Sequence, residues 1–97
     1  MTIAELQALI DKMYGHYDRA RGSDATFLWL TEEFGELAAA LREGTPQQKA
    51  EEFADVIAWL FTLANVNGVD LTGALQDKYG AGCPGCGELV CACDNKP

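Results

Sequence analysis

The sequence predicts an all-α fold of four helices, and three observations carry that expectation. Apolar side chains recur at three- and four-residue intervals along most of the chain, the spacing that places them on one side of a helix. Gly and Pro breaks divide that pattern into four segments, and residues that cap helices stand where the segments begin.

The first helix is expected from about Thr2 to Ala20. Thr2 followed by Glu5 fits a capping box, and Ile3, Leu6, Leu9, Ile10, Met13 and Tyr17 form its apolar stripe. Gly22 stops it, and Ser23 or Asp24 suits the N-cap of a second helix over about Ala25 to Arg42. At "EGTP", Gly44 suits a C-cap, Thr45 an N-cap and Pro46 the first position of a third helix, which ends near Asn67 before Gly68. A short fourth helix opens near Asp70 and ends before Gly80. Residues 1–80 then read as one helical domain. From Ala81 the composition changes to a Cys/Gly/Pro tail, residues 81–97, without helical period.

Composition narrows the function. With 97 residues, of which 48% are hydrophobic, the chain is globular and near the lower limit for a self-sufficient core, which oligomerisation would complete. The 15 acidic residues outweigh 7 basic ones for a net charge of −8. That field repels nucleic acid and anionic membrane surfaces, and it repels a phosphorylated substrate unless a metal ion intervenes. No apolar run approaches the roughly 20 residues of a membrane span. "MTIAELQALIDKMY" is amphipathic and acidic rather than a signal peptide. A cytoplasmic location follows as the expectation, with cysteines not read first as disulfides.

The acids are placed unevenly. Advancing about 100° per residue puts Leu30, Phe34, Leu37 and Leu41 in the central stripe of the second helix. Glu33 falls beside Leu37, with Glu36 next to it, while Glu32 lies toward solvent. On the third helix the stripe is Phe53, Val56, Ile57, Leu60 and Ala64. Glu52 falls between Trp59 and Leu63, Asp55 is adjacent, and Glu51 points outward. Two readings are open. The carboxylates form a solvated face, or they converge at a helix–helix seam. Convergence would raise their pKa values or force the helices apart unless a divalent cation sat between them. Oxygen ligands without His favour Mg²⁺ or Mn²⁺ over zinc.

"EEFGE" gives E-E-x-x-E at Glu32, Glu33 and Glu36, and "EFAD" gives E-x-x-D at Glu52 and Asp55. With "TFLWLTEEFGELAAALREG", "EEFADVIAWLFTLANVNGVDL" and "KYGAGCPGCG" around them, the chain resembles the MazG-like all-α nucleoside triphosphate pyrophosphohydrolases from about Arg19 to Cys93. The likeness is to small single-domain members, some with a similar Cys-rich tail. The order of "EEFGELAAAL" fits that family better than the phosphoribosyl-ATP pyrophosphohydrolases, and the all-α dUTPases are generally longer.

The resemblance implies the reaction NTP + H₂O → NMP + pyrophosphate, through metal-activated water attack at the α-phosphorus. It implies Glu33, Glu36, Glu52 and Asp55 as Mg²⁺ (or Mn²⁺) ligands, with Glu32 orienting or deprotonating the water. It also implies a homodimer or a dimer of dimers, since the family builds its core and active site by subunit pairing. Lys78 matches the basic position of the family's "xxKY" segment and is the first candidate for a phosphate contact. Arg19 and Arg21 follow it.

Trp29 and Trp59 flank the acids, four residues before Glu33 and four after Asp55, and read either as core or as a base-stacking platform. Asn65 reads as a sugar or phosphate contact or as helix-end decoration. His16 suits packing or surface rather than catalysis.

Cys83, Cys86, Cys91 and Cys93 give C-x₂-C-x₄-C-x-C, which fits a tetrahedral Zn²⁺ knuckle. Iron–sulfur ligation, a redox pair and plain thiols are the alternatives. Lys96 is the one basic residue of the tail, which argues against nucleic acid there. A rival from another class is a non-enzymatic helical module that uses a zinc knuckle to dock a protein partner.

Overall fold

The computed structural model describes residues 1–95; Lys96, the tail's basic residue, and Pro97 lie outside the described residues. Four helices follow one another: α1 (Ile3–Arg21), α2 (Ser23–Glu43), α3 (Pro46–Val66) and α4 (Leu71–Tyr79). None is long and apolar enough to cross a membrane.

The helix starts are set locally. The Thr2 hydroxyl accepts from the Glu5 N–H and Glu5 Oε1 accepts from the Thr2 N–H, both at 3.0 Å, so two otherwise orphaned donors are satisfied. Thr45 and Gln48 repeat this capping box at the start of α3, where Pro46 takes the first helical position. The start of α2 differs from expectation. Neither Ser23 nor Asp24 caps it; the N-cap is Gly22, with φ 86° and no side-chain cap bond. Helix α1 runs on through Arg21, so a single residue must turn the chain, and glycine occupies positive φ without a Cβ penalty. Ser23 and Asp24 are thereby drawn into the first turn, where the Asp24 charge favours the helix N-terminus.

The short Gly44–Thr45 connection folds α2 and α3 back on each other, and α1 packs across α3. Ile10, Leu30, Val56, Phe61 and Ala64 form the apolar core, with Asp18, Thr26 and Thr62 buried among the polar residues. Gln7 ties the α3–α4 turn to α1: its Nε2 donates to the Val69 carbonyl at 2.6 Å, and its Oε1 accepts from the Leu71 N–H at 3.0 Å.

The expected stripes are only partly buried. Phe34, Leu41, Phe53, Ile57 and Leu60 are exposed in the single chain, as are Ile3, Leu9, Met13 and Tyr17. Helices α2 and α3 carry apolar groups on more than one side, and the side that meets the neighbouring helix bears Leu30, Glu33, Leu37, Glu52, Val56 and Leu63. Glu33 and Glu52 therefore sit in the packed seam. Phe34 and Phe53 face away from it.

Candidate active site

Glu33 and Glu36 stand three residues apart on α2, and Glu52 and Asp55 repeat the spacing on α3. Packing α2 on α3 brings carboxylate oxygens of Glu33, Glu36 and Glu52 within 4.8 Å of one another. Asp55 lies outside that trio, though its charge acts on both Glu33 and Glu52. Glu32 is exposed and outside the group. So is Glu51, which accepts from Gln47 Nε2 at 3.2 Å.

Such crowding has an electrostatic cost. Burial first, then the hydrogen bond and charge of Glu36, then the charges of Asp55 and Glu52 push the Glu33 carboxyl up to about 7. Glu52 is also raised, by burial and by the charges of Glu36, Asp55 and Glu51. One oxygen of each, Glu33 Oε2 and Glu52 Oε2, is buried with no hydrogen-bond partner. Buried carboxylate oxygens without donors are what a hard divalent cation satisfies, so the donor set fits one.

Clefts open beside this seam. One of about 490 Å³ is bounded by Glu36, Glu43, Gln48 and Glu52 where α2 turns into α3. Another of about 320 Å³ is lined by Tyr14, Asp55, Ala58 and Trp59. Trp59 stacks with Trp29, ring centroids 6.1 Å apart and planes 18° from parallel, and Trp29 is half exposed. The tryptophans are thus at the edge of the seam rather than in the core.

The candidate cations are dispersed. Arg21 pairs with Asp18, donates through Nε to Thr26 Oγ1 at 3.1 Å, and holds its guanidinium 4.9 Å from the Trp59 ring centroid. Arg19 pairs with Asp11 at 2.6 Å. Lys78 lies in the last turn of α4, its Nζ 5.5 Å from the Tyr79 ring, and lines neither cleft beside the acids. Asn65 donates to the Gln7 carbonyl at 3.2 Å and so ties α3 to α1. His16 meets Tyr17 edge-on. Tyr14, Asp18 and Thr26 escaped the sequence reading. The Asp18/Arg21 spacing was visible, but burial, which sets this pair apart from other i,i+3 pairs, was not.

Beyond α4 the four free cysteines converge, each sulfur within 4.8 Å of the others. Cys83 Sγ lies 3.5 Å from Cys91 Sγ and 3.9 Å from Cys93 Sγ. Backbone N–H groups of Gly85, Ala92 and Cys93 donate to the sulfurs of Cys83, Cys86 and Cys91 at 3.3–3.4 Å. Backbone donors hold Cys83 below the usual thiol range and bring Cys86 down to about 6, while the neighbouring sulfurs, Cys91 first, raise Cys93. Gly82 and Gly87, at φ 119° and 78°, make the turns that close this loop. Four sulfurs this close together are able to hold a metal. A cleft of about 670 Å³ between Tyr79 and Leu89 belongs to the junction of this loop with α4, and no acid lines it.

Carboxylates gathered between two packed helices, with an aromatic cleft alongside, are a site able to hold a divalent cation beside a ligand. The chain belongs to the MazG nucleotide pyrophosphohydrolases: the model of the MazG nucleotide pyrophosphohydrolase domain matches residues 21–84, more than half of it. It is also similar to a dATP/dGTP diphosphohydrolase of Cyanophage S-2L, 39% identical over 77 residues that span 79% of this chain and 70% of that protein. The molecule is therefore an enzyme, a nucleotide pyrophosphohydrolase, and the reading as a non-enzymatic docking module falls away.

Proposed function

We propose that the enzyme hydrolyses deoxynucleoside triphosphates, purine ones foremost, to the monophosphate and pyrophosphate in a Mg²⁺- or Mn²⁺-dependent reaction. The observation that carries this reading is the convergence of Glu33, Glu36 and Glu52 with two buried oxygens lacking any donor. Asp55, next along the same face of α3, completes the ligand set. The purine preference rests on likeness to the cyanophage dATP/dGTP diphosphohydrolase.

Held by Glu33, Glu36, Glu52 and Asp55, a Mg²⁺ ion would offset charge between the acids and the triphosphate and would make water at the site more acidic. Water oxygen bonds to the α-phosphorus as the bond to the α–β bridging oxygen breaks, and the leaving group departs as pyrophosphate. Glu32, exposed on α2 next to Glu33, takes the water's proton. The cleft of Tyr14, Asp55, Ala58 and Trp59 receives the nucleoside, with Trp29 and Trp59 beside its base. Lys78 is assigned to the phosphate tail. Arg21 and Asn65 have protein partners and would act on substrate only through them.

Residues 1–80 carry this chemistry, and residues 81–97 form a separate metal-binding tail. There the four converging sulfurs and their N–H donors suit Zn²⁺. Free thiols of this kind suit a reducing cytoplasm. The exposed Phe34, Leu41, Phe53, Ile57 and Leu60 are the surface a second copy would cover in a dimer or dimer of dimers.

The test is pyrophosphate release from a panel of NTPs and dNTPs with Mg²⁺, Mn²⁺ or chelator. Metal-dependent formation of dAMP and dGMP, lost in Glu36→Ala with helix content intact, is expected. Orthophosphate as the product, or turnover that survives Glu36→Ala, would overturn the proposal.

A further inference from the structure

Helix α1 holds a part-buried ion pair, its Asp buried and its Arg partly exposed, that the hydrolysis itself does not require. Asp18 is only 4% exposed, and its sole side-chain partner among the described residues is Arg21; its second oxygen, Oδ2, is buried and unpartnered. Thr26, fully buried, accepts from Arg21 Nε and in turn donates to the Gly22 carbonyl at 2.6 Å. Such a pair with an unsatisfied oxygen contributes little to stability, because desolvation offsets the Coulombic gain. What the pair does achieve is orientation. It fixes a planar guanidinium 4.9 Å from the centre of the Trp59 ring, which in turn stacks with Trp29 and shares a cleft with Asp55 and Tyr14.

We propose that Asp18 and Arg21 are positioning residues: anchored by Asp18 and Thr26, the Arg21 guanidinium sets the plane of Trp59 and so the wall of the nucleoside cleft next to the acids. The inference rests on the hydrolase reading above for the identity of that cleft. Arg21, a phosphate candidate by sequence, has its charge paired with Asp18 and its guanidinium carbon over the Trp59 ring. A planar fork donates to Asp18 and Thr26 from separate, fixed nitrogens while its carbon stands over the ring; the single nitrogen of an ammonium reproduces that spread less well.

Two readouts test this on the full-length protein. The first is tryptophan emission without nucleotide or added metal, in wild type, Arg21→Ala, Arg21→Lys and Asp18→Asn. The second is kcat and KM for dATP, with Mn²⁺ affinity by water-proton relaxation as a check on the acid seam. Arg21→Ala is expected to shift the emission and to raise KM about tenfold with kcat changed less than about threefold, the scale of one cation–π contact. Mn²⁺ affinity should be unchanged. Arg21→Lys should fall between, and it replaces Arg21→Ala if that variant loses helix content. In a Trp59→Ala background the Arg21 change should add nothing further to KM.

Unchanged emission in Arg21→Ala, or additive KM effects with Trp59→Ala, would overturn the proposal. A kcat loss at constant KM would also do so, since it would place Arg21 on the reacting phosphate. Emission is read without substrate. An inactive wild type would thus refute the hydrolase reading, while an active wild type with unchanged emission refutes the positioning role alone.

Discussion

Replacing Glu33 with Gln should make the metal-free protein more stable at neutral and alkaline pH. Glu33 sits in the seam with its carboxyl raised from 4.5 to about 7, chiefly by burial and then by Glu36. The folded state thus holds this proton more tightly than the unfolded chain. The resulting stability is present in full below the unfolded value and is lost as pH rises through about 7. Taken whole, the shift corresponds to about 3 kcal/mol; screening by solvent near the seam reduces this to about 1 kcal/mol. For a domain of this size, about 1 kcal/mol moves Tm by roughly 4–8 °C. Gln keeps the shape and removes the charge.

Thermal unfolding followed by circular dichroism, in buffer free of Mg²⁺ and Mn²⁺, is the assay. Wild type should lose stability from about pH 5 to about pH 8. Glu33→Gln should lose much less and melt about 5 °C higher at the alkaline end. Adding Mn²⁺ there should raise the wild-type Tm and leave the variant nearly unmoved. Parallel pH curves for the two proteins, or a variant less stable than wild type in metal-free alkaline buffer, would refute the claim that burial and the neighbouring acids penalise the Glu33 charge.

Because Glu33 is raised to about 7, Mn²⁺ binding at pH 6 should release close to one proton and at pH 8 far less, measurable by calorimetry in buffers of different ionisation enthalpy. Thr45→Ala removes the α3 N-cap acceptor and should cost about 1 kcal/mol in urea unfolding. Cys86→Ser should abolish retention of one zinc per chain, read by a colorimetric chelator, while the far-ultraviolet signal of α1–α3 persists.

Features decided within one turn of chain were legible in the sequence. The capping box at Thr2–Glu5, the Thr45 N-cap and the Gly44 stop stand where the sequence puts them, since each needs only neighbours three or four residues away. The start of α2 was misjudged because α1 extends to Arg21, which left Gly22 alone to reverse the chain. At the site, spacing placed Glu33 with Glu36 and Glu52 with Asp55, but not the exclusion of Asp55 from the closest trio. Asp18 was silent in the sequence because a buried Asp and an exposed one are written alike.

The sequence by itself determined that this chain is four helices, that its acids come in i,i+3 pairs, and that four cysteines can close on one another. Those are matters of local propensity, periodicity and short-range reach. Only the tertiary structure decided which side of α2 meets α3, and so which oxygens lose their water. An amphipathic pattern ranks the faces of one helix, but α2 and α3 are apolar on more than one side. The choice between those sides is made by the partner helix, through the short turn at Gly44 and Thr45 and the crossing of α1. That choice buried Glu33 and Glu52, left Phe34 and Phe53 exposed, and turned Arg21 toward Trp59.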